Sequence, residues 1–184
     1  LSRIYSILDW TRNQQYVAFN PLPGLSVKKN KRAHEERDEF APEDLAALFG
    51  SPIFTRGEFR QPYYYWLPLI ALYTGARLEE ICQLHLADIR QEGQVWILDI
   101  NEDNEKAVKT SASKRLVPVH PELERLGLLE YVQRLNKKGE TRLFPELKLQ
   151  RDGYSQAAQK WFNARYRHSC GISHRRKSFH SFRH

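Results

Sequence analysis

Four basic residues of this sequence stand where type and spacing invite chemistry. Arg77 directly follows a Thr-Gly pair, Lys109 sits in a polar stretch, and His180 and Arg183 lie three residues apart in KSFHSFRH. The i, i+3 spacing puts the imidazole and the guanidinium on one helix face, one turn apart. Two guanidiniums converging on a phosphodiester would neutralise its non-bridging oxygens through paired hydrogen bonds. That is the electrostatic stabilisation phosphoryl transfer needs when no metal supplies it. A nearby ammonium or imidazolium would give a proton to the leaving oxygen. Convergence of groups so far apart in sequence depends on the elements that carry them.

Residues 2–19 read as a helix, with Ile4, Ile7, Leu8, Val17 and Phe19 apolar, and NPLPG at 20–24 ends it. SVKKNKRAHEERDEF is charged with almost nothing to bury, so it reads as a linker. APEDLAALFG has Pro42 in a first turn, Glu43 and Asp44 at the positive helix end, and a terminating Gly50. YYYWLPLIALYTG, 63–75, is almost wholly apolar and reads as a buried helix. ARLEEICQLHLADI continues a helical period, with Leu78, Ile81, Cys82 and His85 on one stripe and Arg77, Glu80 and Leu84 on another.

The period changes to that of a strand at QVWILDI, and RLVPV at 115–119 gives a second strand whose Pro118 marks an edge or an end. The polar stretch between them is a hairpin or the rest of a small sheet. Helices resume at 121–135 and 155–167, the second with Ser155 as its cap. This order predicts an α+β domain, mostly α, with a small antiparallel sheet or hairpin packed on a helical core.

With 184 residues, 41% of them hydrophobic, and nine Phe, nine Tyr and four Trp, the chain can bury a core. Its net charge of +7 favours a polyanionic partner. Two cysteines are too few for a secreted disulfide framework, and no segment has the roughly 18 consecutive apolar residues of a membrane span. A cytoplasmic protein is the expectation. The sequence lacks a glycine-rich phosphate loop, HExxH, GxSxG and an acidic metal cluster, so neither cofactor nor metal is expected. Cys170, His174, His180 and His184 fall at helix-like separations, but without the paired cysteines of zinc modules. An isolated Arg-x-x-Glu is ordinarily a surface ion pair, a polar-stretch lysine is ordinarily solvated, and His85 is read as a core or boundary histidine.

The run LPLIALYTGARLEEICQLHLADI resembles the first catalytic motif of the tyrosine recombinase (phage integrase) family, with Arg77 as the first catalytic arginine and Glu80 as the following glutamate. KTSASKRLVP is similar to the family's K-T-x-x-S-x-R-x-V-P hairpin pattern and makes Lys109 the catalytic lysine, with Lys106 and Lys114 as rivals. FHSFRH resembles the H-x-x-R-H segment, giving His180, Arg183 and, as the following histidine, His184. The motifs occur in family order and cover the chain from about Phe40 to its end.

The resemblance implies a site-specific recombinase that cleaves and rejoins DNA through a 3′-phosphotyrosyl link. In this reading Arg77 and Arg183 hold the phosphate, Lys109 protonates the leaving 5′-oxygen, and His180 assists, with Glu80 and His184 in support. It implies residues 1–24 as the end of a preceding core-binding domain, 25–39 as the linker, and 40–184 as the catalytic domain. The partner is double-stranded DNA at a specific site, engaged by a homotetramer of the full-length protein, bacterial or phage-encoded. Lys28, Lys29, Lys31, Arg32, Arg175, Arg176 and Lys177 are candidate phosphate contacts. All nine tyrosines precede His180, so none matches the family's nucleophile. With no methionine and an end inside a patterned segment, the chain is expected to be a fragment, monomeric alone and unable to cleave DNA. The other reading is a DNA-binding domain that keeps the fold without a nucleophile.

Overall fold

The computed structural model describes residues 2–23, 38–103, 106 and 114–183. The chain divides into two compact units, Leu1–Glu36 and Arg37–His184. In the first, helix α1 spans Ser2–Asn13, shorter than the sequence pattern suggests. Gln15 then takes a left-handed backbone conformation (φ 62°), which a helix cannot continue. Asn20 bends the following segment back: its side chain donates to the Tyr5 carbonyl at 3.3 Å and accepts from the Leu22 N–H at 3.0 Å.

The second unit opens with α2 (Pro42–Phe49) and α3 (Pro52–Thr55), each with proline in its first turn, where the missing N–H costs nothing. Helix α4 (Pro62–Thr74) runs through the interior and buries Tyr63, Trp66, Leu67, Leu69, Ile70 and Ala71. Pro68 lies within it without ending it. Gly75 ends it in the left-handed conformation (φ 60°), a geometry that a side chain would strain.

Helix α5 is only Leu78–Cys82, where the sequence period suggests a helix continuing to residue 89. After it the chain makes a single 3₁₀ turn, Leu86–Asp88, and enters strand β1, Ile89–Glu92. The reason lies at Asp88, whose carboxylate accepts the His85 N–H at 2.7 Å and closes that turn on itself. Strands β2 (Val95–Ile100) and β3 (Arg115–Pro118) complete an antiparallel sheet of order β1-β2-β3 among the described residues. Pro118 therefore ends an edge strand, as its missing donor requires.

The register pairs Leu98 with Val117 and Ile100 with Arg115, so these four side chains share the sheet face turned to the core. Leu116 points the other way and is half exposed. The strand thus reverses the usual polarity, arginine inward and leucine outward. That inversion sets Arg115 toward the site described below.

Gly127, with φ 90°, splits the next helical stretch into α6 (Pro121–Arg125) and α7 (Leu128–Lys137). Helix α8 (Gln156–Trp161) passes through one π-type turn, Phe162–Tyr166, into α9 (Arg167–Ser169). Ser155 occupies the cap position of α8, but its hydroxyl makes no capping bond. The Glu79 carboxylate of α5 anchors the start of the helix, accepting the Tyr154 and Ser155 N–H groups at 2.8 Å each and placing a negative charge near its positive end. The last described element is a 3₁₀ turn, Phe179–Arg183.

Candidate phosphate-binding site

The left-handed Gly75 and the start of α5 fix where Arg77 begins. Arg77 is the N-cap residue, and Glu80, three residues on, reaches back to accept its backbone N–H at 2.9 Å. The spacing Arg-x-x-Glu is therefore built for capping, and the same carboxylate then holds the side chain. Arg77 Nη1 lies 2.6 Å from Glu80 Oε1. From the sheet, Arg115 Nη2 reaches Glu80 Oε2 at 3.0 Å.

Glu80 is 2% exposed, whereas the Arg77 and Arg115 side chains are each 32% exposed. The carboxylate lies below and the guanidiniums are partly open above it. Burial pushes the Glu80 carboxyl up, but the Arg77 N–H, the Arg77 side chain and Arg115 outweigh it and hold the group below the ordinary carboxylate range.

Arg183 arrives from the other end of the chain. In the 3₁₀ turn, residues three apart stack on one side. Phe179 and Phe182 form one such pair and are buried against Phe162, with ring centroids 5.1 and 5.7 Å away, while Phe182 also meets Phe40 at 4.9 Å. His180 and Arg183 form the interleaved pair on the other side. Each buried phenyl ring contributes about 1.5–3 kcal/mol of apolar stabilisation, enough to set the turn's rotation.

Asn163, in the turn after α8, accepts the Phe179 N–H at 3.0 Å. A continuous set of contacts thus links the two ends of the site. Glu79 anchors the start of α8, α8 leads to Asn163, and Asn163 holds the turn that bears His180 and Arg183. The adjacent acids Glu79 and Glu80 divide the work, one fixing α8 and the other gathering arginines.

Burial lowers the Arg183 guanidinium pKa, and repulsion from Arg77 and Arg115 lowers it further against the opposing pull of Glu80. Arg183 therefore shares an electrostatic neighbourhood with both. Beside it lies a cavity of about 140 Å³ whose walls include Ala76, Leu78, Gln159, Asn163, His180 and Arg183. Ala76 and Leu78 flank Arg77, so the cavity sits between the two motifs.

The structure thus brings Arg77, Glu80 and Arg183 together, with His180 at the cavity wall. Lys109, His184, Lys28, Lys29, Lys31 and Arg32 lie outside the described residues. Of the two rivals to Lys109, Lys106 is buried with its Nζ 2.6 Å from both oxygens of Asp88. Lys114 makes a half-exposed pair with Glu102.

In the basic run before the last turn, Arg175 is exposed, Arg176 pairs with Asp38 at 2.9 Å, and Lys177 pairs with Asp44 at 2.5 Å. Lys177 and Asp44 are largely buried, so this lysine fastens the 174–177 segment to α2. Among the described residues no three His, Cys, Asp or Glu side chains gather as metal ligands would. No helix among them is long and apolar enough to cross a membrane.

Sequence reasoning missed Arg115 as a member of the site. It stands within KTSASKRLVP, but its inward direction runs against the polarity of its own strand, so alternation would have placed Leu116 inside instead. Gln159 and Asn163 carry no motif at all and are recognisable only from the fold.

The profile of one family, described as the Phage integrase family, matches residues 59–184. No curated protein and no solved structure matches the chain.

Proposed function

From the chain's membership of the phage integrase family, we propose that it forms the phosphate-holding part of a site-specific DNA recombinase that works through a 3′-phosphotyrosyl intermediate. The observation that carries this reading is the gathering of Arg77 and Arg183, from opposite ends of the unit, around the buried Glu80. A tyrosine hydroxyl attacks the phosphorus, the bond to the 5′-oxygen breaks, and a 5′-hydroxyl leaves. Arg77 and Arg183 hydrogen-bond the non-bridging oxygens and neutralise charge that grows in the transition state. Glu80 fixes the direction of the Arg77 guanidinium. His180, at the wall of the cavity beside Arg183, positions the phosphate and assists proton movement.

Lys109 gives the leaving oxygen its proton. Its assignment is supported by the engagement of Lys106 in a buried ion pair with Asp88, which leaves that ammonium no path to a substrate. Lys114, held only by an exposed pair that solvent screens, is the alternative acid.

The attacking tyrosine is not among the nine of this sequence. Tyr131 and Tyr166 are buried, with their hydroxyls bonded to the Leu143 and Leu48 carbonyls. Tyr63 is buried in α4, and none of the nine belongs to the last turn. The 184 residues alone hold a phosphate without cleaving its ester, as monomers. The protein that carries the tyrosine acts as a tetramer on double-stranded DNA in the cytoplasm. His184 supports the phosphate beside Arg183, and exposed basic residues, Arg175 above all, contact flanking phosphates.

The test is Arg77→Ala in the protein that carries the tyrosine, assayed on a nicked suicide substrate. Covalent adduct forms about 10²–10³-fold more slowly, the cost of removing one donor aimed at a developing anion. Adduct at the wild-type rate overturns the reading. A chain that binds its site but never forms adduct, with or without Arg77, is instead a non-catalytic DNA-binding domain.

A further inference from the structure

Arg115 comes from the sheet, belongs to neither of the two segments that carry Arg77 and Arg183, and yet ends on the same buried carboxylate. Its Nη2 donates to Glu80 Oε2 at 3.0 Å, the oxygen that also accepts the Arg77 backbone N–H. Its side chain is exposed to the same fraction as that of Arg77, 32%, so part of the guanidinium faces solvent. The lowered pKa of Arg183 arises in part from both Arg77 and Arg115. Guanidiniums from two elements thus meet on one buried carboxylate, and a third, Arg183, feels both. An anion contacted by all three relieves the repulsion among them.

We propose that Arg115 is a third phosphate-binding residue of this site, its guanidinium contacting the same phosphodiester as Arg77 and Arg183. The proposal rests on the reading of the site given above. Glu80 is shared between the two arginines, so it fixes the position of Arg115 as it fixes that of Arg77, and both side chains stay 32% exposed. The strand supports this direction. Arg115 sits opposite Ile100 on the core-facing side of β3, and that edge strand has no further partner among the described residues to carry it away.

The probe is inorganic orthophosphate, titrated into the 184-residue chain at low ionic strength and followed by the change in melting temperature and by calorimetry. Arg77→Ala and Arg183→Ala each weaken orthophosphate binding about tenfold, the equivalent of one charge-assisted hydrogen bond. Arg115→Ala weakens it to a similar degree, Arg115→Lys recovers most of the loss, and Arg115→Gln recovers none. The Gln variant is decisive because it keeps a long side chain that can still donate to Glu80 but carries no charge. Wild-type affinity in Arg115→Gln overturns the proposal, and so does wild-type affinity in Arg115→Ala while the other two variants lose binding. In that second case the site as first read survives. If orthophosphate binds equally to wild type, Arg77→Ala and Arg183→Ala, that underlying reading fails and the proposal fails with it. If Arg115→Ala does not fold, the Lys and Gln pair decides alone, since both preserve the bulk of the side chain.

Discussion

Two buried carboxylates lie close together in the sequence and are used in opposite ways. Asp88 is paired with a single cation: Lys106 bonds both of its oxygens at 2.6 Å, and Asn101 and the His85 N–H complete its shell. Both members of the pair are nearly inaccessible. Glu80 is buried as deeply, but the two guanidiniums bonded to it remain one-third exposed, and a third, that of Arg183, is close enough to feel them. The first arrangement is closed and matched charge for charge, so it serves the fold by tying the 3₁₀ turn before β1 to the start of the segment after β2. The second gathers partly exposed guanidiniums on one buried carboxylate, the arrangement that the proposed phosphate site requires. Burial of the acid does not separate the two arrangements; the number and exposure of its partners do.

The strongest way to break this comparison is Lys106→Met. It leaves the Asp88 carboxylate buried without its cation and destabilises the protein by about 3–5 kcal/mol in chemical denaturation. Loss of less than about 1 kcal/mol would place the pair among ordinary surface bridges.

Glu80→Gln comes next, costing about 1.5–3 kcal/mol near neutral pH, because hydrogen bonds from charged donors are weakened rather than removed. Its pH dependence has a definite sign. The folded pKa of Glu80 lies below its unfolded value, so its stabilisation is complete above the ordinary carboxylate range and is lost as pH falls through the lower folded value. The difference in stability between wild type and Glu80→Gln therefore shrinks toward acid. A difference constant with pH would show that the charge of Glu80 does not matter.

Arg115→Gln should cost less than about 1 kcal/mol of stability, because solvent already screens a partly exposed guanidinium and Arg77 still satisfies the carboxylate. A loss as large as that of Lys106→Met would make Arg115 a structural cation and erase the contrast. The smallest effect is expected from Arg175→Ala, whose side chain is exposed. Stability is unchanged within about 0.5 kcal/mol, and the dependence of DNA affinity on salt falls by about one phosphate contact. An unchanged salt slope would remove Arg175 from the DNA interface.

Part of the local geometry of the candidate site was legible in the sequence. The Thr-Gly stop after the apolar helix and the i, i+3 spacing of His180 and Arg183 are local patterns whose geometry follows from chain stereochemistry, whereas the capping use of Arg-x-x-Glu appears only in the fold. The mostly α domain with a small sheet, the buried helix read at 63–75 and found at Pro62–Thr74, and Pro118 at an edge or an end of its strand followed from period and proline chemistry in the same way. The failures were also local. The helical stripe past Cys82 carried on into ADIR, yet the chain turned there into a strand because Asp88 found Lys106 and Asn101 as tertiary partners. Ser155 had the right type for a cap and takes the cap position, but its hydroxyl makes no capping bond; the start of α8 is held instead through the Tyr154 and Ser155 N–H groups by the distant Glu79 carboxylate.

What the sequence determined by itself was therefore the set of short-range devices: the proline and glycine stops, the change of period from helix to strand, and the pair His180 and Arg183 on one face. What only the tertiary structure decided was which of those devices meet. The cap spacing ties Glu80 to Arg77 locally, but no local rule sends Glu79 to the start of α8 or brings Arg115 to Glu80. Arg115 and Leu116 are placed by strand register, inward and outward against their own polarity. Such choices depend on contacts between residues distant in the chain, whose energies exist only once the core has closed around them.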